Sequence, residues 1–431
     1  MIWNELGFRD NPFSTDPVPA NNEGLRLLVG RNSELRRLSI AITSSNNHAT
    51  IEGDNGVGKT SLVGVAAYKL FLEHQRDSTK PLYLPMPRAF QISPDEDAAN
   101  FSPKFLFSLA RFISENRDLI QKHHSGLRNL DNISMWLNDP IILGGGANVN
   151  VMGNGGGLNV TRSINTSSGF SQGGLDAHLR EIMMTIFPSQ RSGGVVCLLD
   201  NLELLDNSQK ARSTLELLRD DVLSFPGVKW VLCGARGILR STISTPRLQG
   251  KLADPIELKA LSPENVTKVI ETRLDIYKER DDAYTPVESG GFSRIYQIAN
   301  HNLRIALGFC EAFVLWCAES DNRPENPEDK LLLIDSWFAY VAQQAMESTR
   351  DITPRAWQLF DDISKLPEGC SPSDFIEFGF NNGPAMQPHL RRLEQANLIQ
   401  SASAETDRRR KMINLSPRGW IVRYYRNDYK I

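Results

Sequence analysis

The octet Gly53, Asp54, Asn55, Gly56, Val57, Gly58, Lys59 and Thr60 constrains this chain more than any other stretch. It fits G-x-x-x-x-G-K-[ST], a pattern whose glycines let successive backbone N–H groups converge on an anion. In such a loop the lysine, here Lys59, reaches the outer phosphates of a nucleotide, and the Thr60 hydroxyl completes the shell of a Mg²⁺ ion. The flanks agree with that reading. Residues 48–52 read as a short strand that enters the loop. Residues 61–74 leave it as a helix, opened by Ser61, with Leu62, Val65, Ala66 and Leu70 at helical spacing. The helix N-terminus brings its positive dipole end to the place where phosphates would sit. A strand, this loop and a helix in that order predict nucleotide binding.

A chain of 431 residues predicts roughly two to four domains. The net charge of −3 excludes a globally basic coat for nucleic acid but leaves room for a local basic patch. The five cysteines, Cys197, Cys233, Cys310, Cys317 and Cys370, show no C-x-x-C spacing, so packing is their expected role and no zinc site is expected. A reducing cytosol suits them. The first ten residues lack the apolar run of a signal peptide, and no stretch approaches the ~20 apolar residues of a membrane span. The expectation is a soluble, cytoplasmic chain with no membrane contact.

Residues 1–30 read as a leader that contains Asn11, Pro12 and Phe13 and ends at Val29 and Gly30, with Arg31 next. A helix capped by Asn32 or Ser33 follows through residue 43. Beyond the phosphate loop come a proline-limited strand at 81–85 and a helix at 104–116. From 141 to 174 the composition shifts to Gly, Asn, Ser and Thr. There 147–151 and 158–161 alternate around a glycine run, which predicts a hairpin. Such an insertion serves as a spacer or as a contact for a subunit, DNA or a partner.

A helix at 176–187 leads into the continuous apolar strand 194–199, which ends in Asp200, as buried parallel strands do. An acid there matches the second motif of nucleotide hydrolases, the one that holds Mg²⁺. Many such enzymes place Glu directly after it to orient the attacking water. Asn201 stands in that position and the nearest carboxylate is Glu203. Either Glu203 takes the role or hydrolysis is slow. A further apolar strand, 228–233, runs into Arg236, a candidate sensor of the outermost phosphate, and a last short strand lies at 255–258. Strands alternating with helices around a phosphate loop predict an α/β core with a parallel sheet covered on both faces.

From Ser262, a natural cap with Pro263 after it, helices are expected at 263–279, 289–300, 302–319 and 330–347. The last segment changes character. Helices at 356–366, 372–380 and 385–396, the last with Pro388 in its first turn, precede strands at 398–401 and 411–415. Three helices and a two-stranded wing form the winged-helix order. The third helix carries Gln387, His389, Arg391 and Arg392, and the wing carries Arg408, Arg409, Arg410 and Lys411. A helix and wing of that kind suit double-stranded DNA. Winged helices also dock proteins, and Asp374, Glu377 and Asp407 dilute the charge.

In this order the chain resembles AAA+ ATPases of the origin-recognition type, the archaeal and eukaryotic replication initiators. The leader's Asn-Pro-Phe, Val29-Gly30-Arg31 and the run 234–261 also look like the bacterial ExeA and TniB group. The resemblance spans nearly all of the chain outside 141–174. It implies a leader over 1–30, an AAA+ core over 31–258, an α-helical lid over 259–348 and a winged-helix domain over 349–431. It further implies that Val29 and Arg31 help line an adenine pocket and that Arg304 reaches back from the lid to the γ-phosphate. Arg236 would lie near the first sensor, and Arg247 would be the finger for a neighbouring subunit's ATP. ATP and Mg²⁺ are the implied cofactors and a homo-oligomer the implied assembly.

Two functions follow. One is an ATP-hydrolysing switch that assembles and binds DNA, of the initiator, transposition or defence type. The other is a signalling ATPase or scaffold whose winged helix and hairpin dock a protein effector such as a nuclease or helicase. A GTPase is disfavoured because no N/T-K-x-D motif follows the second acidic strand.

Overall fold

The computed structural model describes residues 2–44, 47–92, 98–123, 141–143, 162–164, 172–202, 208–243, 245–347, 349, 351–366, 370–403 and 411–428. Its centre is a five-stranded parallel sheet. The strands are β1 (Ala49–Gly53), β2 (Leu82–Pro85), β5 (Gly193–Leu199), β6 (Val228–Gly234) and β7 (Ile256–Leu258), in the spatial order β2-β5-β6-β1-β7. In register, Ile51 lies beside Cys233 and Ile256, and Cys197 beside Trp230. Every residue of β5 is buried, as a central strand covered on both faces requires. Pro85 ends β2, an edge strand where a missing N–H costs no ladder bond.

Alternation along these strands divides the core in two. Leu84, Val195, Cys197, Leu199 and Trp230 face one apolar layer with Phe90, Phe105 and Leu179. Tyr83, Val196, Leu198, Val231 and Cys233 face the other, packed by Leu38 and Ile42 of helix Asn32–Ser44 and by Leu62, Val65 and Leu70 of helix Lys59–Arg76. All five cysteines are buried free thiols, in keeping with a packing role.

A second body is built from helices Pro263–Tyr277, Ser289–Ile298, Leu303–Glu319 and Pro327–Glu347, around Phe292, Ile295, Phe313, Trp337 and Phe338. The leader belongs to this core. Leu6, Phe8 and the fully buried Phe13 insert among its helices, and Phe8 bridges to Lys278. Asn11 sets the turn, since its side-chain oxygen accepts from Phe13 N–H at 2.8 Å while its amide donates to Glu311 at 2.9 Å.

The C-terminal part has helix Pro354–Ile363, helix Gly383–Gln395, the antiparallel pair β8 (Ile399–Ser403) and β9 (Lys411–Leu415), and a last helix, Pro417–Asp428. That last helix joins two cores: Ile421 packs into the lid and Trp420 and Val422 into the C-terminal cluster. Two local expectations fail. The predicted helix at 372–380 is a single 3₁₀ turn, Pro372–Asp374, followed by turns that return Phe378 and Phe380 to the core. Pro388 is not in the first turn. Pro384 opens the helix after an Asn382 cap that accepts from Ala385 N–H at 2.9 Å, leaving Pro388 in the interior without a backbone donor. Of the 141–174 insertion, the short strands β3 (Ile141–Leu143) and β4 (Arg162–Ile164) pair antiparallel, and the predicted hairpin strands lie outside the described residues. No described helix is long and apolar enough to cross a membrane.

The fold is therefore α/β, with a phosphate-loop core on a parallel sheet, a helical body joined to the leader, and a C-terminal unit of helices with a two-stranded antiparallel pair.

Candidate functional site

In this sheet β1 is the switch point, because the chain crosses from it to β2 in one direction and β7 closes on its other side. A ligand belongs in the crevice beyond the carboxyl ends of such strands. The phosphate loop stands there. Gly56 and Gly58 have φ of +85° and +96°, in the left-handed region that glycine enters without strain. Gly58 opens helix Lys59–Arg76 with no side-chain cap, so the first N–H groups of that helix remain available to an anion. Lys59 is buried. Its Nζ donates to Gly53 O at 2.7 Å, Asp54 O at 3.3 Å and Asn55 Oδ1 at 3.4 Å, which holds the ammonium beneath the loop.

The acid at the end of β5 arrives at the same point. Thr60 Oγ1 donates to Asp200 Oδ2 at 2.6 Å, across 140 residues of sequence. The second carboxylate oxygen accepts from Asn201 N–H at 2.9 Å. A hydroxyl beside a buried carboxylate is an all-oxygen donor set, which fits Mg²⁺. Asn201 has φ +57°, a conformation that asparagine enters far more readily than glutamate. This gives a physical reason for Asn rather than Glu at this position. Glu203 lies outside the described residues.

The lid closes over the loop. Asn302 caps helix Leu303–Glu319 by accepting from Ile305 N–H at 3.1 Å, while its amide donates to Asn55 O at 2.7 Å. A Cβ on Gly56 would stand 2.6 Å from Asn302 Oδ1 and 2.8 Å from the Arg304 Cβ, so the lid sits directly against the glycine. Arg304 lines the cleft and has no ion-pair partner among the described residues. The remaining wall includes Leu28, Val29 and Arg31 from one side, Leu261, Val269 and Leu307 from the lid, and Thr15 to Val18 from the leader. Arg31 is buried, pairs with Glu34 at 3.3 Å and donates to Val57 O at 3.2 Å. Ser61 Oγ accepts from Val18 N–H at 3.0 Å, which ties the leader to the phosphate-loop helix.

Thus Val29, Arg31, the stretch Asn55 to Ser61, Asp200 and Arg304 meet at one cleft. Arg236 reaches the phosphate loop itself, pairing with Asp54 at 3.2 Å. Arg247 is exposed, does not line this cleft and lies 3.9 Å from Glu216. Among the residues that sequence reasoning missed are Asn302, a contact from the lid to the loop, and Arg273, which lines the cleft. The signal for Arg273 was present: a cation stands on the buried face formed by Val266, Val269, Ile270 and Ile276.

On the C-terminal unit, Gln387, Arg391 and Arg392 share one face of helix Gly383–Gln395 with Gln395, opposite the buried Met386, Leu390 and Leu393. Arg391 and Arg392 are exposed and unpaired among the described residues. His389 is not on that face. It packs beside Phe380 at 5.4 Å between ring centroids, and burial, Arg392 and Arg355 depress its pKa. Arg408, Arg409 and Arg410 lie outside the described residues, and of Lys411 only its backbone place at the start of β9 is described.

No family model and no curated protein matches the chain. Among solved structures it is similar to the Aeropyrum pernix ORC1 protein in complex with DNA, at 13% identity over 98% of this chain and 97% of that one, with a TM-score of 0.46. It is also similar to the Walker-type ATPase PABY2304 of Pyrococcus abyssi, at 13% identity over 96% and 99%, TM-score 0.46. A third is the Aeropyrum pernix ORC2 protein in ADPNP and ADP complexes, at 11% identity over 96% of each chain, TM-score 0.46. These values are low, and it is the hydrogen-bonded geometry of the cleft that carries its chemistry.

Proposed function

We propose that the chain is an ATP-binding and hydrolysing switch of the AAA+ type that binds double-stranded DNA through its C-terminal winged helix. The observation that carries the nucleotide part is the 2.6 Å contact between Thr60 and Asp200, with Asn302 of the lid bonded to the same loop. Bound at this cleft, Mg²⁺ would be held by Thr60 and Asp200 and would neutralise charge on the outer phosphates. Lys59 and the helix N–H groups orient the phosphates, and Arg304 offers a lid cation to the outermost one. Asn201, held against Asp200, and Glu203 are the candidates to orient water. Arg247 is kept as the cation offered to a neighbouring subunit's nucleotide, since it lies outside its own cleft.

The DNA part rests on the solvent-facing Arg391 and Arg392 beside Gln387, on a helix whose opposite face is core. Phosphate and base edges both accept from such side chains. The test is binding of labelled duplex DNA with and without ATP and Mg²⁺ at two salt concentrations. Affinity raised by ATP and lowered by salt is expected. No DNA binding in either nucleotide state would leave a nucleotide switch whose C-terminal unit docks protein.

A further inference from the structure

A buried cation on the cleft, Arg273, has no anionic counterpart among the described residues. Arg273 is only 6% exposed, and no carboxylate pairs with it among the described residues. Its Nη1 donates to two leader carbonyls, Pro12 O at 2.9 Å and Ser14 O at 3.0 Å. A guanidinium carries five N–H groups, and the pair on Nη1 are thereby used. The groups on Nε and Nη2 have no protein partner among the described residues, and neither atom is sealed from solvent by them. Arg31, equally buried on the same cleft, shows the ordinary solution, an ion pair with Glu34. Leaving a buried cation without an anion is costly, and an apolar residue would serve the lid core better at this position. Burial also depresses the Arg273 pKa from its ordinary value.

The cleft has two ends. Lys59, Thr60, Asp200 and Arg304 make the polar one, where phosphates belong. Leu27, Leu28, Val29, Leu261, Val269 and Leu307 make the apolar wall, against which a base would pack. Arg273 stands one helical turn beyond Val269, lining the same cleft. A purine presents in-plane ring nitrogens as acceptors, which suit the planar fork of a guanidinium.

We propose that Arg273 is a specificity-determining contact that donates to a purine ring nitrogen, and that it thereby couples base binding to docking of the leader. The inference rests on the nucleotide reading above. One guanidinium holds Pro12 and Ser14 on one side and the base on the other, so an occupied cleft fixes the side chain that fixes the leader.

The test is equilibrium binding to the full chain of ATP, of 1-deaza-, 3-deaza- and 7-deaza-ATP, and of inorganic tripolyphosphate, for wild type, Arg273→Lys and Arg273→Met. Wild type should lose about tenfold or more in affinity toward one deaza analogue. Arg273→Met should bind ATP about tenfold more weakly, no longer distinguish that analogue, and bind tripolyphosphate as wild type does. Arg273→Lys, which keeps the charge but loses the fork, should fall between. Equal affinity of wild type for ATP and all three analogues overturns the proposal, and that comparison needs no variant to fold. Discrimination that persists in Arg273→Met overturns it as well. Failure of wild type to bind any nucleotide would instead remove the nucleotide reading on which the proposal stands.

Discussion

The nucleotide cleft and the C-terminal helix both offer cations, but they hold them in opposite ways. In the cleft, Lys59, Arg31 and Arg273 are buried and fixed by carbonyls or a carboxylate, and Asp200 is bonded on both oxygens. On helix Gly383–Gln395, Arg391 and Arg392 stand in solvent with no partner among the described residues. A triphosphate with one metal ion is a small target of fixed geometry, and donors positioned in advance spare the cost of ordering them. A duplex is a long polyanion. Exposed, mobile cations are enough to engage it through counterion release.

That contrast can be broken from either side. The largest effect is expected from Lys59→Ala, which should remove Mg²⁺-dependent ATP binding while thermal unfolding of the apo protein stays close to wild type. Titration with a fluorescent ATP analogue reads the outcome, and retained tight binding would mean that the loop is not the site. Phe13→Ala empties a fully buried position in the lid core and should cost about 3–5 kcal/mol in denaturant unfolding. If the leader were a mere linker, the loss would be far smaller.

Acid gives a third handle, specific to the core. His48 donates from Nε2 to Leu223 O in the tautomer whose Nδ1 accepts from Trp230 N–H, and burial pushes its pKa from 6.5 down to about 4. The unfolded chain takes up this proton first. The stability His48 contributes is therefore full above about pH 6.5 and is lost as pH falls toward 4, at most about 3 kcal/mol. His48→Gln should flatten that part of the pH–stability curve; an unchanged curve would show that other groups govern acid unfolding.

Gly56→Ala forces a side chain into a left-handed position already in contact with Asn302 and Arg304, at about 1–2 kcal/mol of backbone cost. ATP affinity should drop, and the lid should exchange amide hydrogens faster. The smallest change is expected from Arg391→Gln or Arg392→Gln. Each should reduce the log–log salt slope of duplex binding by about 0.9 if its side chain meets a phosphate, and leave ATP affinity untouched. Loss of ATP binding in these variants would show that the two regions are not separate.

Much of this arrangement was legible in the chain. The phosphate loop depends on glycines and on Lys59 and Thr60 at fixed spacing, and β5 depends on an unbroken apolar run ending in Asp200; both signals are local. The misread proline at 388 and the absent helix at 372–380 are cases where a cap or a core contact a few residues away outweighed a plausible local pattern. Asn382 and Pro384 moved the helix start forward, and Phe378 and Phe380 pulled the preceding segment into turns around the core.

By itself the sequence determined the α/β core, the phosphate loop, the acid that faces it and the paired strands that follow the last predicted helix of the C-terminal part, because each follows from residue type and period. Only the tertiary structure decided that the leader packs within the lid, that Asn302 touches the loop, that His389 packs beside Phe380, and that Arg273 enters the cleft with no carboxylate paired to it among the described residues. Those facts depend on contacts between residues such as Pro12 and Arg273, 261 positions apart, and no local pattern carries information over that distance.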